Sequence, residues 1–279
     1  MRRILSMGST VAVLTLAVSG CSQAPEADMS TGAVAQVDAV SGTIALPLDE
    51  YLPTATQATV FTHAVDIKAR ECAKAQGIDF RVIMPDPQPV NNNYGVWRKS
   101  QAEKYGYGQP IPQTVPVDSQ HNANLSEAEG KVVYDCMVKP EVSQVKYPGK
   151  LIKGDLPFLR TLTRVRSIDT KQGQEILKEW HNCLKENDIA APSMPEEMTV
   201  YDWTPPNVGS MTPEERFQAA LIDVACKDKV DLVQRLADIE AGQQKAVIDG
   251  HTAELAAFRD TWQRNLTAAQ KVVDEFSGA

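Results

Sequence analysis

Five cysteines, four histidines and a surplus of carboxylates are the residues of this chain whose types lend themselves to chemistry. The cysteines have the most informative positions: Cys21 closes a short apolar run, whereas Cys72, Cys136, Cys183 and Cys226 are spread through the rest of the chain. A cysteine can serve as a metal ligand, a nucleophile or one end of a disulfide. Structural zinc draws its ligands from closely spaced pairs, and the chain has no C-x-x-C and no H-x-x-x-H. An even set of four cysteines instead forms disulfides in an oxidising compartment. His63, His121, His181 and His251 stand at no recognised zinc or hydrolase spacing, and no G-x-S-x-G elbow, P-loop or H-E-x-x-H is present. Nothing in the spacing of the carboxylates selects the pair that a glycosidase needs. The expectation is no catalytic residue, no metal and no cofactor.

Cys21 has a different context. The chain opens MRRILSMGSTVAVLTLAVSGC, with Arg2 and Arg3 ahead of an apolar run that ends Val18, Ser19, Gly20, Cys21. A charged start, an apolar stretch too short to span a bilayer and a small-residue site are the layout of an export signal. The residues before Cys21 resemble the bacterial lipobox, in which the cysteine thiol receives diacylglycerol and becomes the mature N-terminus. Two acyl chains anchor stably where one gives only reversible binding, each buried methylene contributing about 0.8 kcal/mol. Residues 1–20 are therefore expected to be a lipoprotein signal peptide. The protein would sit on the outer face of the cytoplasmic membrane with the lipid on Cys21 as its membrane partner. Residues 22–67 hold six acids and no Lys or Arg, and 21–42 is expected to be a flexible tether, a coil of about 20 residues reaching roughly 25 Å.

Without Arg2 and Arg3 the formal charge of −8 becomes −10, which argues against nucleic acid as a partner. With 43% hydrophobic residues in 279, the chain has enough apolar side chains for a full core.

The elements that position the cysteines are helices. Thr54 and Gln57 match a capping box ahead of an apolar stripe through Phe61, Ala64, Ala69 and Cys72, stopped by Gly77. Ser126 with Glu129 opens a second helix carrying Val133 and Cys136 up to Pro140. A third runs from about Thr170 to Asn187 with Ile176, Leu177, Trp180 and Cys183 on one face. Thr212, Pro213 and Glu215 start a fourth, which carries Cys226. From about 230 to 276 apolar residues recur in steps of three or four. Unbroken, that helix would be about 70 Å long, with a kink or break possible between Gly242 and Gly250. Its stripe is interrupted by Gln243 and His251. GTIALPL at 42–48 and MTVYDW at 198–203 are the strand signals, short and without hairpin partners. The fold class is mostly α: a helical body with long Pro-rich connecting loops, two disulfides and a long C-terminal helix or helical hairpin. It divides at 43–169, an N-terminal half with an aromatic loop, and 170–279, a C-terminal half.

Each of the four cysteines lies on the apolar face of its own helix. Consecutive helices usually pack as neighbours, so of the three possible connectivities the expected one is Cys72 with Cys136 and Cys183 with Cys226. Two surface readings accompany this. The loop with Tyr94, Trp97, Arg98, Tyr105 and Tyr107, within a connector at 81–118, is either an aromatic platform for a sugar or peptide or a cover folded onto the helices. Residues 131–171 hold nine basic and four acidic residues. That excess either meets anionic wall polymers or head groups or is a solvated face.

Taken together, several features resemble a group of uncharacterised actinobacterial lipoproteins. They are the lipobox, YLP leading into a helix that ends C-x-x-x-x-G, the YG to YGYG loop, the Trp-x-x-Cys helix and DVAC before the long C-terminal helix. The resemblance implies no activity; it carries over only an anchor on Cys21 and the pairing of the other four cysteines. The function expected is a non-enzymatic, lipid-anchored protein of the cell envelope that contacts an envelope protein or wall polymer. The alternative is a lipoprotein that binds a small ligand or glycan through the aromatic loop.

Overall fold

Three helices of this chain begin on reciprocal caps written locally in the sequence. In the computed structural model, which describes residues 32–84, 93–108, 117–148, 166–195 and 201–278, the side chains of Thr54, Ser126 and Thr212 accept from the amides of Gln57, Glu129 and Glu215. The side chains of Gln57, Glu129 and Glu215 in turn accept from the cap amides at 2.9, 2.8 and 2.7 Å. Seven helices result among the described residues: α1 Ala55–Lys74, α2 Lys99–Tyr105, α3 Val117–Ala123, α4 Glu127–Met137, α5 Lys171–Glu186, α6 Pro213–Lys229 and α7 Leu232–Ser277. Thr170 caps α5, and Gly173 in its first turn is obligatory, since a Cβ there would lie 2.0 Å from the Ser167 carbonyl oxygen. α3 follows Pro116, starting in the last two residues of the connector at 81–118 and running past it to Ala123.

The mostly α class and both disulfides are as expected. Cys72 is bonded to Cys136, joining α1 to α4, and Cys183 to Cys226, joining α5 to α6, with Cα separations of 5.8 and 5.6 Å. The two helix ends that carry the first cysteine of each bridge are built alike. Cys72 is followed by Gln76, Gly77 and Ile78, and Cys183 by Asn187, Asp188 and Ile189. Gly77 and Asp188 take the left-handed conformation at φ 78° and 58°. The next amide then folds back, Ile78 onto Ala73 at 3.0 Å and Ile189 onto Leu184 at 2.9 Å.

α7 runs 46 residues, about 70 Å, with non-helical angles inside it only at His251 (φ −136°, ψ 22°). The kink thus falls one residue beyond Gly250. The start of the described chain climbs this helix in the same direction. The Ala35 amide donates to Asp238 and the Leu48 amide to Gln244, both at 2.9 Å; the Trp262 indole donates to the Tyr51 carbonyl at 2.9 Å; and the Arg70 guanidinium lies 5.4 Å over the Phe276 ring. Packing divides along α7. Its first half joins α5 and α6 around Trp180, Leu184, Leu232, Leu236 and Ile239. Its second half meets α1 through Phe61, Ala64, Val142, Trp262 and Ala269. A smaller cluster of Ala69, Ala73, Phe80, Val133 and Cys136 seats α4 on α1.

Two expectations are corrected. Residues 32–42 do not behave as a tether: β1 Gln36–Asp38 pairs antiparallel with β2 Thr43–Ala45, in the register Val37 opposite Ile44. The segment at 42–48 therefore has the hairpin partner it was expected to lack. Asp38 holds the turn, accepting from the Val40 amide at 2.8 Å and the Ser41 hydroxyl at 2.7 Å, and Gly42 closes it at φ 77°. Second, the division at 169/170 does not follow the core, because Ala35, Tyr94 and Trp97 pack with α5, α6 and α7. The signal peptide, Cys21 and the tether to residue 31 lie outside the described residues, as do 149–165 of the basic segment and 198–200 of the second strand signal, whose Tyr201 to Trp203 are irregular.

Gly250 is exposed in α7, and a Cβ built on it meets nothing within 4 Å. Gly250→Ala is expected to stabilise the protein by about 0.5–1 kcal/mol, measured by chemical denaturation, because it removes the helix penalty of glycine without a clash.

Candidate functional site

The chemically dense part of the described chain lies in the core, on α6. A four-residue spacing puts Asp223 and Lys227 on one helix face, the buried face with Ala219, Ala220 and Val224. Both side chains are wholly buried, with Lys227 Nζ 3.0 Å from Asp223 Oδ2. The ammonium also donates to the Val96 carbonyl at 2.7 Å and lies 5.0 and 5.7 Å from the ring centres of Trp180 and Trp203. Asp223 takes a further bond from the Trp180 indole N–H at 2.9 Å. Burial pushes the Asp223 carboxyl up and the Lys227 amine down, and their mutual attraction opposes both shifts. The ammonium directs its donors at a carboxylate, a carbonyl and two aromatic faces, which is the satisfied geometry of a charged pair.

Lys227 holds the aromatic loop. Its bond to Val96 draws in Gly95, which sits at φ 69° so close to Trp203 that a Cβ would lie 2.5 Å from the Trp203 Cβ. Tyr94 stacks edge-on to Trp203 with ring centres 5.6 Å apart and donates its hydroxyl to Glu240 of α7 at 3.2 Å. Tyr94 and Trp97 are 4% and 3% exposed, so the two inner rings of the expected binding loop are core residues and not a platform. Tyr107 is partly buried with its hydroxyl on the Ala219 carbonyl at 3.3 Å, and Tyr105 is partly buried with Lys104 Nζ 4.9 Å from its ring centre. Arg98 lies against the hairpin turn, 2.7 Å from where a Cβ on Gly42 would be, and its buried Nε has no hydrogen-bond partner among the described residues.

The structure does not bring the histidines together. His63 is on α1, and His121 on α3 meets the Asp79 carbonyl at 2.7 Å. His251 Nδ1 bonds Glu254 at 2.7 Å beside the kink. His181 on α5 is buried with Nε2 2.9 Å from the Tyr201 hydroxyl. Burial, and then the charge of Lys185, pushes the His181 imidazole down to about 4. Among the described residues no group of three or more His, Cys, Asp or Glu is placed to hold a metal. Burial raises Asp66 on α1 to about 6 and lowers His63 one turn before it, and neither has a polar partner among the described residues.

Sequence reasoning missed the Asp223–Lys227 pair. It also passed over a Ser-x-x-Lys spacing, the nucleophile motif of penicillin-binding enzymes, at Ser143 and Lys146. Both residues are exposed, and the Ser143 hydroxyl donates to the Pro140 carbonyl at 2.6 Å. Of the five basic residues described in the segment 131–171, Lys131 pairs with Asp135 at 2.6 Å and Arg166 with Asp169 at 2.7 Å. A surface recess of about 420 Å³ beside Cys183 is lined by Glu179, Glu186, Lys229 and Arg235. Those charges are matched across it, Arg235 with Glu179 at 2.6 Å and Lys229 with Glu186 at 3.3 Å. No described helix is long and apolar enough to cross a membrane. No protein-family model, curated protein or solved structure matches the chain.

Removing one partner of a buried ion pair leaves an uncompensated charge, so Lys227→Met is expected to destabilise by about 3–5 kcal/mol in urea denaturation. Asp223→Leu combined with Lys227→Met recovers most of that loss. His181 supplies a pH signature. Its folded pKa lies below the unfolded value of 6.5, so its contribution is complete above pH 6.5 and is lost as pH falls through about 4. The loss amounts to at most about 3 kcal/mol. The ring resonances of His181 are expected to stay neutral to near pH 4, and His181→Gln is expected to flatten the stability profile in that window.

Proposed function

We propose that this is a lipid-anchored, non-enzymatic protein of the cell envelope, fixed to the outer face of the cytoplasmic membrane through Cys21, whose helical body contacts another envelope component. The observation that carries the reading is the N-terminal layout: Arg2 and Arg3, an apolar run and Val18-Ser19-Gly20-Cys21. Two disulfides fit an oxidising compartment outside the cytoplasm. The ionisable and aromatic groups of the core are turned on one another: Lys227, Asp223, Trp180, His181 and Tyr201 bond within the fold. That favours a scaffold. Burial of Tyr94 and Trp97 weighs against the glycan-binding alternative.

Cys21→Ser tests the anchor, because the thiol is the acylated atom. The wild-type protein is expected to partition into the detergent phase of a cloud-point extraction and to incorporate labelled fatty acid. The variant is expected to lose the label and to appear uncleaved or released. Unchanged partitioning of the variant overturns the reading. Crosslinking in intact cells with mass spectrometry then distinguishes a protein partner from a wall polymer.

A further inference from the structure

The two disulfides begin on the same helix-end motif, yet the surroundings of their sulfurs differ. Cys183 and Cys226 are 5% and 2% exposed in the core around Trp180 and Leu232. Cys136 is 1% exposed, but Cys72 is only partly buried, at the rim of the small α1–α4 cluster. The amide four residues after the first cysteine also acts differently. Asn187 donates to the Cys183 carbonyl at 2.8 Å and stands 4.0 and 3.9 Å from the two sulfurs. Gln76 Nε2 reaches Cys136 Sγ at 3.4 Å and Cys72 Sγ at 3.7 Å, with the Cys72 carbonyl at 3.5 Å. The bridge thus joins a cysteine that is only partly buried to a covered one whose sulfur has the nearer N–H donor.

We propose that Cys72–Cys136 is a thiol-exchange site, a clasp between α1 and α4 that an extracytoplasmic dithiol reductant opens while Cys183–Cys226 stays closed. Exchange rate follows access to the attacked sulfur and stabilisation of the departing thiolate. The first thiolate of the reductant attacks Cys72 Sγ, a mixed disulfide forms there, and the Cys72–Cys136 bond breaks with its electron pair on Cys136 Sγ. The Gln76 N–H stabilises that charge until the sulfur takes a proton from water. The second thiol of the reductant, as its thiolate, then attacks the mixed disulfide, leaving as the reductant's own disulfide and freeing Cys72, which is protonated in turn. Two electrons and two protons pass from the dithiol to the bridge. Once open, α4 is held chiefly by the small cluster of Ala69, Ala73, Phe80 and Val133.

The test treats the purified, oxidised, full-length protein with graded dithiothreitol, traps free thiols with an alkylating mass tag and maps the peptides. Cys72 and Cys136 are expected to be tagged about tenfold faster than Cys183 and Cys226. Amide exchange protection is expected to fall across residues 127–137 and to persist across 171–186. Gln76 is exposed, so Gln76→Leu leaves the core intact. That variant is expected to slow cleavage of the first bridge several-fold and leave the second unchanged. Equal rates for the two bridges, cleavage of Cys183–Cys226 first, or an α4 that keeps its protection after reduction would each overturn the proposal, and an unchanged rate in Gln76→Leu overturns the role of the amide. Because the readouts are thiol trapping and amide exchange, a failure here is distinct from failure of the lipid anchor.

Discussion

A lysine ammonium sealed inside an aromatic core constrains everything around it. Lys227 is wholly buried, so Asp223, the Val96 carbonyl and the faces of Trp180 and Trp203 must each stand where they do. These groups come from α6, from the loop before α2, from α5 and from the irregular segment after α5. The pair contributes little net stability of its own, since desolvation of both charges offsets their attraction. What it supplies is selection among packings: a core that placed Val96 or Trp180 elsewhere would strand a charge, and that alternative is expensive. The aromatic loop is fixed as a consequence, Gly95 against Trp203 and Tyr94 against Glu240.

How far the sequence reveals this depends on the range of the interaction. Helix starts at Thr54, Ser126 and Thr212 are legible because the capping partners lie three residues apart. The disulfides are legible because each cysteine shares a face with apolar neighbours and the bridged helices are consecutive. Asp223–Lys227 is not legible, for its four-residue spacing is the same as that of Lys131–Asp135 and Lys245–Asp249, which lie on exposed faces. Only tertiary packing tells a buried pair from a solvated one. β1 escaped because three residues give no periodicity, and the strand is seated by bonds from Ala35 to Asp238 and Gln234, about 200 positions along the chain. The aromatic loop could be read two ways because burial of Tyr94 depends on Trp203, beyond the whole of α5.

The helix-end motif around Cys72 and Cys183 shows one local solution used twice. A left-handed residue stops the helix, the following isoleucine packs back onto it, and the cysteine one turn earlier is staked to another helix. Glycine takes that conformation freely at Gly77, whereas Asp188 belongs to the few side chains that tolerate it. Each staple closes a long excursion, with separations of 64 and 43 residues. In the chain-entropy view each limits the unfolded state by about 4 kcal/mol. Irregular connectors are tolerated in such a chain because the bridges secure the helices from which they depart.

α7 has the opposite relation to chain order. The segment from Ala35 to Tyr51 finds its hydrogen-bond partners on a helix more than 190 residues downstream, and both principal clusters take one wall from that same helix. In a chain that emerges N-terminus first, this segment therefore lacks those hydrogen-bond partners until the 46-residue helix α7 has appeared. Long-range contacts of this kind are reached late. The early helices can form and wait, but the segment from Ala35 to Tyr51 gains its hydrogen-bond partners only once α7 has followed.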